Sequence, residues 1–238
     1  LPALPPTAQS PTLSGGAKVQ EFIDLAKDER ILCLTTLDDG SPGLALGTAA
    51  GVVKRVAPDH PANRDSWDVI RLADGDRLVG AAELRTGDED LVFVTSDAQL
   101  LRFGASLVRP QGRSGGGVAG VKVGRGAEVI FFGAVDPERD AAVVTVAGTS
   151  SALPGTQSGS VKVTPYGEYP VKGRATGGVR CHRFLKGEDT LILAWAGAAP
   201  PRAAAGSGVP VALPDAEGRR DGSGTAAPQP IAAVAGTP

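Results

Sequence analysis

Residues 109–126 read RPQGRSGGGVAGVKVGRG and residues 170–187 read PVKGRATGGVRCHRFLKG, so one stretch is written twice in the chain. Laid over each other, Gly112 meets Gly173, Arg113 meets Arg174, Gly116 and Gly117 meet Gly177 and Gly178, Val118 meets Val179, and Gly126 meets Gly187. Lys122 falls on Arg183, and Arg125 on Lys186. Glycine coincidences are cheap in a chain with 33 Gly, but basic residues in step with them are not. Such a repeat fixes the architecture, because each unit buries its apolar face only by stacking on its neighbours.

A third copy lies 51 residues earlier, where Ile70-Arg71-Leu72 and Gly75 fall on Val121-Lys122-Val123 and Gly126. A fainter fourth is Ser14-Gly15-Gly16-Ala17, ahead of a run ending Glu29-Arg30-Ile31-Leu32. Each unit also carries a second strand of glycine, hydrophobic and basic residues: Gly51-Val52-Val53-Lys54-Arg55, Gly159-Ser160-Val161-Lys162, and a degraded echo at Gly208–Leu213. Short β-type runs recur between turn signals at 31–36, 51–56, 78–84, 91–96, 100–103, 128–135, 142–147, 160–164 and 191–195, which predicts an all-β fold. Val19, Phe22, Ile23 and Ala26 have helical spacing in a window too short to decide, and their place in the repeat favours strand. Beyond Trp195 the Ala, Pro and Gly content predicts irregular chain. Blades of four strands at this spacing, about five of them, predict a propeller-like disc, since radial repetition leaves only short protected edges.

Composition agrees. Hydrophobic residues make up 42% of 238 residues but aromatics only 4%, so the core must be built mostly from Val, Leu, Ile and Ala. Pro2, Pro5, Pro6 and Pro11 mark residues 1–12 as an extended linker, with one domain expected over 13–234 and a tail at 235–238. The chain contains no Met and opens LPALPPTAQSP, as expected of a piece of something longer. Cys33 and Cys181 sit far apart in apolar runs, which argues against a zinc site or disulfide framework and for core thiols in a reducing compartment. No apolar run approaches the roughly 18 residues a membrane span needs, so no membrane partner is expected.

The formal net charge is −2, but it is unevenly spread. Residues 99–125 hold Arg102, Arg109, Arg113, Lys122 and Arg125 with no Asp or Glu. Residues 161–186 hold Lys162, Lys172, Arg174, Arg180, Arg183 and Lys186 against Glu168 alone, whereas 65–97 is strongly acidic. With Lys54, Arg55, Arg219 and Arg220 these are the candidate binding residues. Glycine beside arginine bares backbone N–H groups and lets a phosphate approach while the guanidinium forks around its oxygens; the alternative is a flexible turn with solvated charges. Catalytic signals are thin. His60 lies in a Pro-flanked loop, His182 takes a hydrophobic repeat position, the ADGD and GDED carboxylates read as turn residues, and Tyr166 and Tyr169 as blade-surface packing.

RPQGRSGGGVAGVKV, WDVIRLADGDRLVGA, DLVFVTSDAQLLRF and VPVALPDAEGRRDGSG together resemble the C-terminal domain of the A subunit of bacterial type IIA topoisomerases, over residues 13–234. The resemblance implies a β-pinwheel of strand-exchanged blades whose basic rim bends duplex DNA. It also implies partnership with the remainder of that A subunit, together with an ATPase B subunit, in an A2B2 holoenzyme of the nucleoid-associated cytoplasm, with the isolated domain monomeric. The domain itself would need no cofactor, ATP and Mg being used elsewhere in the holoenzyme. The breakage-reunion tyrosine of these enzymes has an AxRYTE-like context that neither Tyr166 nor Tyr169 shares, so no catalytic residue is assigned.

Gyrase members carry a QRRGGKG box in the first blade, where this chain has only Ser14–Ala17; the nearest variants are Gly112–Gly117 and Gly218–Gly224, the latter containing Asp221. This favours topoisomerase IV over a gyrase wrapping domain with a degenerate box. A propeller used for protein interaction, suggested by the acidic 65–97 segment, is the reading from another class.

Overall fold

The computed structural model describes residues 18–27, 29–36, 38, 40–61, 63–153 and 155–236. The chain divides into two units, residues 1–32 and residues 33–238, and among the described residues every sheet lies in the second. In the first, Val19–Glu21 form one 3-10 turn, so the segment expected as strand is neither strand nor α-helix. The linker over 1–12, the domain start at Leu13 and the repeat copy at Ser14–Ala17 lie outside the described residues.

The strands are β1 Leu44–Thr48, β2 Val52–Val56, β3 Leu78–Glu83, β4 Asp90–Thr95, β5 Gln99–Gly104, β6 Val118–Ala119, β7 Val129–Val135 and β8 Ala141–Gly148. They continue with β9 Ser160–Pro165, β10 Val179–Arg180, β11 Thr190–Ala198, β12 Arg202–Ala204, β13 Pro210–Val211, β14 Thr225–Ala226 and β15 Ala233–Ala235. The sheets run β3-β1-β2-β6, β10-β5-β4-β7, β11-β8-β9-β14 and β13-β12-β15, all their strand pairs antiparallel. The outer strands β6, β10 and β14 come from chain that has already built the hairpin of the next sheet, so neighbouring blades exchange strands. Among the described residues there are four blades, three of four strands and one of three, where the repeat count predicts about five.

Each blade starts with a hairpin whose turn needs positive φ at one point. Gly51 (φ +87°), Gly159 (φ +65°) and Gly208 (φ +83°) supply it, and in the second blade Ala98 (φ +60°) takes the same place. An L-residue there costs roughly 1–2 kcal/mol. Thr48 and Thr95 brace their turns by accepting from the Val52 and Gln99 amides at 3.1 and 3.2 Å.

Successive sheets stack, with β7 against β1 and β3, and β11 against β7 and β4. The cores between them are aliphatic: Ala45, Val53, Leu91 and Leu101 with Phe93, Phe103 and Phe132, then Val92, Val94, Leu100, Val143 and Leu191, then Val144, Val146, Val161 and Val163. β4 and β8 are buried along their whole length, and so read in sequence as continuous apolar runs rather than alternations.

Several expectations need correcting. The run 31–36 is not a strand; β1, with its Gly47 and Thr48, opens the first sheet instead. A side chain at Gly47 would collide with the Phe132 ring, which is why an apolar, glycine-broken stretch serves there. Tyr166 and Tyr169 are core residues, 3% and 0% exposed. Tyr166 can be buried because its hydroxyl donates to Asp90 Oδ2 at 3.1 Å. The chain beyond Trp195, expected irregular, contributes β12, β13, β14 and β15, and β15 reaches Ala235 in the expected tail.

Candidate nucleic-acid interface

The repeated glycine-basic stretches are the crossings by which each exchanged strand reaches its host blade. The Gln111 amide donates to the Arg55 carbonyl at 2.8 Å, Lys172 to Arg102 at 3.0 Å and Glu217 to Val163 at 2.9 Å, three equivalent anchors just before each turn. At the far end, a Cβ at Gly117, Gly178 or Gly224 would lie 2.7, 2.4 or 2.7 Å from the carbonyl oxygen of Val53, Leu100 or Val161. Only glycine lets the crossing chain lie this close to the strand it joins.

Between these anchors the turn closes over a lysine. Lys54, on β2, is 0% exposed and donates from Nζ to the carbonyls of Gly112, Arg113 and Gly115 at 2.8, 2.9 and 2.7 Å. Lys162, on β9, reaches the equivalent carbonyls of Arg219, Arg220 and Gly222. Burial lowers the pKa of both, that of Lys162 to about 8 against the opposing pull of Cys181, Asp221 and Glu217. In the middle turn the strand position is Leu101, and Lys172 within the turn bonds the Gly177 carbonyl at 3.0 Å.

The turns also join in series. The amides of Arg71, Lys122 and Arg183 donate to the carbonyls of Gly115, Thr176 and Gly222 at 3.3, 3.0 and 2.9 Å. Each basic residue that follows one module is thereby fixed beside the glycine-arginine turn of the next. Arg174 extends the seam by bonding the Ala119 carbonyl on β6, and Arg183 Nε donates to Ser223 Oγ at 3.1 Å. β6, β10 and β14 each end one side of their sheets, and the backbone bonds link in pairs the segments that carry Arg71 and Arg113, Lys122 and Arg174, and Arg183 and Arg220.

Arg109, Lys122, Arg125, Arg180, Arg183, Lys186 and Arg219 are exposed, while Arg113, Lys172, Arg174 and Arg220 are partly covered. Lys54 and Lys162 are interior, because three converging carbonyls replace the water an ammonium needs. Arg55 is spent on the carbonyls of Pro42, Ala105 and Val108. Arg102 lies 3.4 Å from Asp90 and 4.4 Å from the Tyr166 ring centroid, inside the packing of the second blade on the third. These four leave the surface set expected from sequence. Arg219 pairs with Asp221 at 3.3 Å. Among the described residues no carboxylate makes an ion pair with Arg109, Arg113, Lys122, Arg125, Arg174, Arg180, Arg183 or Lys186.

Sequence reasoning missed Arg71, although the register that puts Ile70-Arg71-Leu72 on Val121-Lys122-Val123 already placed it. It also missed Arg64. Both line an open groove of about 1130 Å³ with Arg113, Ser114 and Trp67, with Asp59 and Asp68 also in its wall. They went unnoticed because the segment around them is acidic overall.

His182 is buried at the third crossing. Its Nε2 accepts from the Gly224 amide at 3.2 Å, so Nδ1 carries the proton toward Thr145 Oγ1 at 2.9 Å, and Ser160 Oγ lies 3.2 Å from Nε2. Burial first, and then the neighbouring Lys162, lower its pKa to about 4. Cys181 is fully buried with its thiol pushed up to about 12, also by burial, whereas Cys33 is only partly buried. Glu89, in GDED, closes a turn by accepting the amides of Arg85, Thr86 and Gly87. Among the described residues no group of three or more His, Cys, Asp or Glu is placed to hold a metal, and no helix is long and apolar enough to cross a membrane.

The family described as DNA gyrase C-terminal domain, beta-propeller, matches residues 89–136 and 155–192, which are two copies of the crossing unit. The A subunit of DNA gyrase from Escherichia coli (strain K12) is 32% identical over 178 residues, covering 72% of this chain and 19% of the relative. The chain thus spans about a fifth of the length of the curated relatives it matches. A solved C-terminal domain of DNA topoisomerase IV superposes with a TM-score of 0.74 at 19% identity, over 92% of this chain and 69% of that one. A DNA gyrase A C-terminal domain gives 0.68 at 19% identity, over 92% and 74%. With the exchanged blades and the repeated crossings, these matches make the chain a member of the family of C-terminal domains of type IIA topoisomerase A subunits.

Proposed function

We propose that this chain binds duplex DNA along the path Arg71, Arg113, Lys122, Arg174, Arg183 and Arg220, and bends it, as the C-terminal domain of a topoisomerase A subunit. The observation that supports this is the repeated backbone bond from Arg71, Lys122 and Arg183 into the next glycine-arginine turn, which ties basic segments of successive modules together, and among the described residues these three make no ion pair with a carboxylate. Such contacts fall on phosphates and position a duplex without reading its sequence. Within a holoenzyme that includes the remainder of its own polypeptide and an ATPase B subunit, in the cytoplasm with the nucleoid, the domain presents a DNA segment for strand passage. ATP and Mg act in those other parts.

The finer assignment is to topoisomerase IV, supported by the lack of a QRRGGKG box and by Asp221 within the nearest arginine-pair variant. Gyrase is the second reading, favoured by the 32% identity to a gyrase relative. Circle ligation with the 238-residue chain separates them. Topoisomerase IV predicts a small linking-number shift, gyrase a large positive one, and no shift with no retention on DNA would refute duplex bending.

A further inference from the structure

We infer that Lys54 and Lys162 are positioning residues: each holds its glycine-arginine turn in the conformation that meets phosphate, and touches no phosphate itself. The inference rests on the DNA-binding reading and adds a division of labour among the turns.

An ammonium has three donors and no acceptor, and each of these lysines finds three main-chain carbonyls within one turn. The bonded carbonyls are equivalent in the two turns, with Gly112, Arg113 and Gly115 matching Arg219, Arg220 and Gly222. In each set one carbonyl belongs to the arginine assigned to the DNA path, so the lysine fixes the backbone from which that guanidinium projects. The ammonium also draws inward the carbonyl oxygens that would otherwise repel an approaching phosphate. A turn of this glycine content is costly to order, since glycine loses the most backbone freedom; the lysine meets that cost during folding, before DNA arrives.

The middle turn is built differently. Leu101 takes the strand position and joins the apolar core, so the turn at 172–177 is tied by Lys172 from its own surface instead. Two turns are therefore held from within by a lysine, and the middle one from its neighbours, by the Arg174 guanidinium on the Ala119 carbonyl and the Ala175 amide on the Gly120 carbonyl at 2.7 Å.

The test uses the whole 238-residue chain and Lys54→Leu, the residue the molecule itself accommodates at the matching position 101. Hydrogen exchange at Gly112–Gly117 should speed up while β4 and β8 stay protected, and affinity for a random-sequence duplex should fall about tenfold as ordering is deferred to binding. The slope of log affinity against log salt should not change, whereas Arg113→Ala should lower it by about one.

A slope reduced by Lys54→Leu would mean that the lysine meets phosphate, and unchanged affinity with a loosened turn would mean a merely structural tie; either overturns the inference. Should Lys54→Leu unfold, Lys54→Gln, which keeps two donors, should give the same signature at smaller size. An unaltered chain that ignores DNA refutes the binding reading, an outcome separate from a loss confined to the variants.

Discussion

His182 shows how one buried side chain ties stability to acidity. Folded, its pKa is about 4, lowered by burial and then by Lys162, with Glu188 pulling the other way. Unfolded, it returns to about 6.5. The unfolded chain therefore binds more protons between these values, so stability is full above pH 6.5 and declines as pH falls toward 4. The loss at the acid end is on the order of 2–4 kcal/mol. Denaturant unfolding at pH 7 and pH 4.5 measures it. His182→Val, the residue found at the matching Val121, should flatten that dependence. It should also cost roughly 1–3 kcal/mol at neutral pH, because the Thr145 hydroxyl and the Gly224 amide lose their partner. Arg102 gives a second lesson at this scale. Its charge was legible, but its engagement depends on Asp90 across the β4-β5 hairpin and on Tyr166, which the next blade brings over it.

The element that organises the molecule is the crossing that ends in an exchanged strand. At Gly178 an added Cβ would meet Leu100 backbone atoms at 2.4, 2.6 and 2.8 Å, so the chain would have to back away from β5. Gly178→Ala should destabilise the protein by roughly 2–4 kcal/mol through overpacking. It should also raise exchange at β10 beyond the rest of the second sheet. Gly173→Ala is the control, because its Cβ would meet open space, and it should shift thermal unfolding little. Glycine identity was readable at both sites from the repeat. Which glycine the packing requires was not, since that depends on a strand some 80 residues upstream.

For the molecule as a whole, the binding reading predicts a salt law. If about five phosphates are neutralised, log affinity should fall with log salt at a slope of roughly −4 to −5. Reversing Arg113, Lys122, Arg174 and Arg183 to Glu should abolish retention on duplexes of any sequence at moderate salt while leaving the fold intact, as measured by gel shift and circular dichroism. Adding Arg71→Glu should matter as much as Lys122→Glu alone, because the two occupy equivalent bonds to successive turns. Binding that survives these changes would move the contact surface elsewhere and favour a protein partner.

The order of residues along the chain was enough to establish the repeat, the all-β class and the register that aligns Arg71, Lys122 and Arg183, because these depend on local backbone demands that recur wherever the unit recurs. Which cations face water was settled by folding in three dimensions. Lys54 and Arg113 look alike in a charge pattern, yet one is enclosed by the carbonyls of the turn that carries the other, and such enclosure arises only when a later segment folds back across an earlier blade.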